Sequence, residues 1–156
     1  MRKGFTLIEL LITMVLVAVL ATVALTKYIS TLERTRAAQA IAILKDISDG
    51  WNAEYVLNGN EYPQLTADSP IKDNKWSKDT IRSKYFSTPS ITPQGERRLE
   101  VSIERVGTSH DYVLTAVNEA GEFAYIWCKD HANGDDCKEA GFTELDNTIG
   151  GYILPD

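Results

Sequence analysis

Cysteine and histidine are scarce in this chain, at two each among 156 residues, and no glycine-rich phosphate-cradling loop occurs. Catalysis needs a converging nucleophile, base or metal, so this thin inventory speaks against an enzyme. Two cysteines, Cys128 and Cys137, allow at most one intrachain staple. Basic residues are outnumbered: the formal charge is −6, and it becomes −8 if Arg2 and Lys3 are lost, leaving 14 basic against 22 acidic residues. A general nucleic-acid binder is held by clustered Lys and Arg, and nothing here points to one. No Asn-x-Ser/Thr glycosylation site is present either. The length leaves room for one soluble domain and a membrane segment, with no second domain required.

What the chain has in abundance is hydrophobicity at the front. Phe5–Leu25 reads FTLIELLITMVLVAVLATVAL, 21 residues with one charge, Glu9, and otherwise only threonines as polar groups. At about 1.5 Å per helical residue this length matches the ~30 Å hydrocarbon core of a bilayer. An ordinary secretory signal carries a small-x-small cleavage site after its apolar region, and Ala24-Leu25-Thr26 is a poor match. Placing a carboxylate inside such a helix costs about 2.5–3.5 kcal/mol on insertion scales. Two readings offset that cost. Glu9 lies near the helix N-terminus, where the dipole favours its charge. Alternatively, a cation meets it on assembly: the α-amino group freed by cutting just before Phe5. A Glu9–Phe5 pair between subunits would act as a register pin, because desolvation consumes most of the Coulomb gain of a buried pair.

Met1-Arg2-Lys3-Gly4 followed by Phe5-Thr6-Leu7-Ile8-Glu9-Leu10 resembles the prepilin signature of type IV pilins and pseudopilins. The resemblance implies peptidase cleavage after Gly4, N-methylation of the new terminal Phe5, and a Glu9 that neutralises a neighbouring amine during filament assembly. It covers about the first 30 residues closely and the remainder in architecture. Many members carry a glycine midway along the apolar helix and a proline near its end; the matching positions here are Ala18 and Thr26. Both favour a continuous helix, since alanine is a strong helix former and threonine keeps its amide hydrogen bond.

Beyond Lys27 the pattern becomes amphipathic with no turn signal. Tyr28, Leu32, Ala37, Ala40, Ile41, Leu44, Ile47, Trp51 and Tyr55 recur at spacings near three and four, one face of a continuing helix that Asn58-Gly59-Asn60 ends. From Phe5 to Leu57 such a helix is roughly 80 Å long. Its all-apolar half must meet lipid or identical helices, whereas its striped half can pack on the chain's own sheet. Asn58 to Arg98 is rich in Pro, Ser, Asn, Asp and Lys and reads as loop, with a short turn around Lys78–Tyr85. Three strand-like runs follow, Leu99–Val106, His110–Val117 and Phe123–Cys128, joined by Gly107-Thr108-Ser109 and Asn118–Gly121 as an antiparallel meander.

The expected fold is therefore α+β and pilin-like: a long N-terminal helix, half of it protruding and hydrophobic, on a small antiparallel sheet of three to four strands. Its parts are a leader (1–4), a membrane or filament-core helix half (5–26), an amphipathic half (27–58), a helix-to-sheet loop (59–98) and a sheet with a C-terminal loop (99–156). Cys128 and Cys137 enclose eight residues; in a periplasmic or extracellular head a disulfide is the default, and pilins commonly carry one there. Two metal readings compete. Cys128, His131 and Cys137 give zinc three ligands without a convincing fourth. Asp130, Asn133, Asp135 and Asp136 are oxygen donors suited to calcium, without matching a defined motif. His110, beside Asp111, reads as a surface residue.

No cofactor is expected beyond that calcium candidate. The reading is a structural subunit of a type IV pilus, held in the inner membrane by one span with its head outside the cytoplasm, then polymerised into a helical surface filament. Its partners are copies of itself, a prepilin peptidase and N-methyltransferase, an inner-membrane assembly platform, and the bilayer before assembly. The alternatives are a pseudopilin of a type II secretion system, toward which Tyr62-Pro63 and the acidic loop lean, and a membrane-anchored monomeric binding protein.

Overall fold

The structure, a computed structural model, describes residues 6–63, 83–107, 110–131 and 134–154, and within the first helix leaves the side chain of Thr26 undescribed. Helix α1 runs unbroken over Leu7–Leu57, 51 residues. It ends as the composition predicts. The Asn58 amide and side chain both bond to the Glu54 carbonyl, and Gly59 and Asn60 take positive φ values of 78° and 69°.

Against the second half of α1 lies an antiparallel sheet with β1 (Ser90–Pro93), β2 (Arg98–Glu104), β3 (Tyr112–Glu119), β4 (Glu122–Asp130), β5 (Glu144–Asp146) and β6 (Gly151–Ile153), in the order β1-β2-β3-β4-β6-β5. The β2-β3-β4 meander is the one the alternation predicts. The sheet is wider than three to four strands because β1, β5 and β6 are only three or four residues each, too short to show a period, and pair at the margins. β1 sits inside the stretch expected to be loop. The β3–β4 turn is tighter than expected: Asn118 belongs to the strand, and Ala120 and Gly121 alone make the corner with φ of 53° and 84°, the signs of a two-residue type I′ turn. Gly121 also meets the helix closely. A Cβ there would lie 2.6 Å from Tyr55 Cδ1.

The core sits between helix and sheet. Ala37, Ala40, Leu44, Ile47 and Tyr55 of α1 pack on Leu99, Val101 and Ile103 of β2, Tyr112, Leu114 and Ala116 of β3, and Ile126 and Cys128 of β4. Each fully buried Leu or Ile contributes about 1.5–3 kcal/mol. Trp51 and Ile41 are partly buried at its edge, while Tyr28, expected on the stripe, is exposed. Helix α2 (Asp136–Glu139) follows β4 and brings Cys137, with Ala140 and Phe142, into the same core.

Candidate assembly site

Among the described residues, nothing covers the first half of α1. From Leu7 to Leu25 every residue is exposed, including Leu10, Leu11, Met14, Leu16 and Leu20. Its hydroxyls are turned inward to the backbone: Thr13 donates to the Leu10 carbonyl at 2.9 Å and Thr22 to the Val19 carbonyl at 2.8 Å. An exposed helix surface with its polar groups satisfied locally suits lipid or other apolar helices. The helix is long and apolar enough to cross a membrane.

Glu9 occupies the first turn of α1 and closes a reciprocal cap. Its carboxylate accepts from the Thr6 amide at 2.9 Å and the Thr6 hydroxyl at 2.8 Å, while the Glu9 amide donates to Thr6 Oγ1 at 3.4 Å. The pattern Thr-x-x-Glu ahead of an apolar run is legible in the sequence as a capping box. In this arrangement the charge sits at the positive end of the dipole and remains open on the helix surface.

Glu33 marks where the helix changes task. It is fully buried and takes three donors: Arg105 Nε to Oε1 at 2.7 Å with Arg105 Nη2 to Oε2 at 3.2 Å, Tyr112 Oη to Oε1 at 2.9 Å, and Arg36 Nη1 to Oε2 at 3.1 Å. Burial is the strongest single influence and opposes ionisation, yet the bonds from Arg105, Tyr112 and Arg36 together outweigh it and lower the Glu33 pKa to about 2. Burial and the facing carboxylate push the Tyr112 phenol well up, so it stays a donor. Arg105 also donates to the Tyr85 and Val106 carbonyls. The Glu33 carboxylate thus ties the helix to Arg105, just beyond β2, by an ion pair and to β3 by the Tyr112 hydrogen bond.

A neutral network secures the other end of the helix. Tyr62 Oη donates to Asn52 Oδ1 at 2.7 Å, Asn52 to Asn118 Oδ1 at 3.3 Å, and Asn118 Nδ2 to Ser48 Oγ at 3.1 Å; the Gly121 amide in turn donates to Tyr62 Oη at 3.3 Å. Among the described residues no buried side-chain polar atom lacks a hydrogen-bond partner, the condition under which a buried polar network is tolerable. Within the same core, Cys128 of β4 and Cys137 of α2 form a disulfide across a sequence separation of nine.

A family profile described as "Prokaryotic N-terminal methylation motif" matches residues 1–25. Two proteins named "Fimbrial protein" from Neisseria meningitidis are similar, one of serogroup A (33% identical) and one of serogroup B (41%), each over 91 residues covering 58% of this chain and 51% of the relative. The motif match and the two fimbrial relatives support the type IV pilin family. The chain spans about half the length of the curated relatives it matches. No solved structure gives a significant match.

Of the residues that the pilin signature singles out, Gly4 and Phe5 lie outside the described residues, and Glu9 is the capped carboxylate above. Helix α1 passes Ala18 and Thr26 without a break. The Cys128–Cys137 pair is a disulfide, so neither thiol is left for the zinc reading. In the enclosed loop, Asp130 accepts from the Cys137 amide at 2.8 Å, Asp136 from the Asp111 amide at 3.0 Å, and Asp135 pairs with Lys138 at 2.6 Å, while Asn133 lies outside the described residues. Burial, with the nearby Asp136 and Asp135 charges, raises the Asp130 pKa. His110 is not a surface residue: it is buried, its Nε2 lies 2.9 Å from Glu139 and its Nδ1 3.8 Å from Glu33. The helix and the α2 segment close over it, a contact that neighbours in sequence do not reveal. Glu33 and Arg105 were missed as well, although Arg105 continues the inward alternation of Leu99, Val101 and Ile103.

Proposed function

We propose that this chain is a structural, non-enzymatic subunit of a type IV pilus that waits in the inner membrane and polymerises into a helical surface filament. The observation that carries the proposal is the helix half Leu7–Leu25, exposed throughout, apolar except for Glu9 and two threonines, and lying within the matched methylation motif. Among the described residues of one chain, nothing covers it. Lipid covers it before assembly, and copies of the same helix cover it afterwards, in head-to-tail packing that yields an open filament. The leader ends at Gly4, Phe5 becomes the methylated terminus, and Glu9 exchanges its bonds to Thr6 for the amine of a neighbouring Phe5. The peptidase, methyltransferase and inner-membrane platform act on the chain as their substrate. Motility, adhesion and DNA uptake are the roles such a fibre serves.

The pseudopilin reading shares all of this chemistry up to Leu57. Tyr62-Pro63 leans toward it and the Cys128–Cys137 disulfide toward the pilus. Electron microscopy of sheared surface fibres, with mass spectrometry of their N-terminus, separates the readings. Long fibres of chains that begin at methylated Phe5 are expected. Short periplasmic filaments tied to secretion would select the pseudopilin, and an unassembled monomer with its leader removed would select the anchored binding protein.

A further inference from the structure

We propose that the head carries a surface site for a divalent transition-metal ion of the zinc class, built from Glu104, Asp111 and His131. The inference is independent of filament assembly. The three side chains come from neighbouring strands at one end of the sheet: Glu104 closes β2, Asp111 precedes β3 and His131 follows β4. His131 Nε2 lies 3.5 Å from Glu104 Oε1 and 3.9 Å from Asp111 Oδ1, and one donor atom from each residue lies within 4.8 Å of the other two. Tetrahedral zinc with nitrogen and oxygen donors at about 2.0–2.2 Å places those donors about 3.3–3.6 Å apart. Small rotations of exposed side chains close the difference.

The backbone beneath is fixed. The His131 amide donates to the Asp111 carbonyl at 3.1 Å, the Asp111 amide to Asp136 Oδ2 at 3.0 Å, and the Glu104 amide to Ser87 Oγ at 3.0 Å. Glu104 is also held by its β-ladder partner Val113. Among the described residues, neither carboxylate has a side-chain partner other than His131. All three side chains are about half exposed, so an ion reaches them from solvent and keeps water in the fourth position. One imidazole with two carboxylates suits zinc and its neighbours, whereas calcium seeks six to eight oxygens. The site differs from both metal readings of the disulfide loop, sharing only His131 with one of them.

The test uses the full-length chain in detergent micelles, stripped with chelator, titrated calorimetrically with ZnCl2 and optically with CoCl2. One equivalent is expected per chain, with the visible bands of tetrahedral cobalt. His131→Ala, Glu104→Gln and Asp111→Asn are each expected to weaken zinc binding by at least about tenfold, since even outer-shell changes commonly do so, and to abolish the cobalt bands. Asp135→Asn, in the disulfide loop, is expected to bind as the parent does. Unchanged metal-free melting of the variants shows that their heads are folded; where one melts lower, the other two decide. Absence of stoichiometric binding, binding by the triad variants as tight as the parent's, or loss of binding in Asp135→Asn would overturn the site.

Discussion

Between Leu7 and Leu25, α1 exposes every residue; between Glu33 and Tyr55, the same helix buries a stripe against a sheet from its own chain. Both halves are helical for local reasons, and they differ in where their partners come from. The second half finds its partners within the chain and is fixed there by charge, with Glu33 set against Arg105, and by the Asn52–Asn118–Tyr62 network. Among the described residues, the first half shows a capping box and backbone-bound threonines. A filament subunit needs this asymmetry, because the head must be complete before assembly and the protruding half must stay available for it.

The contrast is broken most severely at Glu33. Glu33→Ala leaves Arg105 buried without its counter-charge, a change that typically costs about 3–5 kcal/mol. Urea denaturation of the head in the solubilised chain is the check, and a loss under about 1 kcal/mol would show that the ion pair does not hold the head. Removing the disulfide with Cys128→Ser comes next, at about 2–3 kcal/mol for so short a loop. Gly121→Ala drives a Cβ into Tyr55 at a positive φ, and overpacking of this kind costs about 1–3 kcal/mol.

Acid sharpens the same comparison. The Glu33 pKa falls from an ordinary 4.5 to about 2 in the folded chain. Its contribution is therefore complete above pH 4.5 and is lost as pH falls toward 2. Urea midpoints between pH 5 and 2.5 should drop in the parent and change less in Glu33→Gln; equal slopes would remove Glu33 from the account. The smallest effect belongs to the first half. Thr6→Ala removes the cap and costs about 1 kcal/mol of helix stability, visible as faster amide exchange in the first turn of α1 with no change in head melting.

Much of this division was legible from residue order. The unbroken apolar run, the change of period after Lys27, the Asn58-Gly59 stop and the alternation of β2 all point to elements the structure contains. The Glu33–Arg105 ion pair was not legible, because a charge on a helix is ordinarily read as solvent-facing. Glu33 becomes visible only when Arg105, 72 residues away, is recognised as the next inward position of β2. In the sequence Asn118 reads as a turn residue, since asparagine favours turns; inside the strand it is instead the hub joining Ser48 and Asn52. The marginal strands depend on pairing with neighbours and carry too few residues to announce themselves.

The most direct test of the central claim is fibre formation by Glu9→Ala, scored by electron microscopy beside head melting of the same protein. With two separately partnered halves, the chain should still be cut after Gly4 and its head should melt as the parent's does, while fibres are absent. Normal fibres from Glu9→Ala, or a head destabilised by it, would contradict the account.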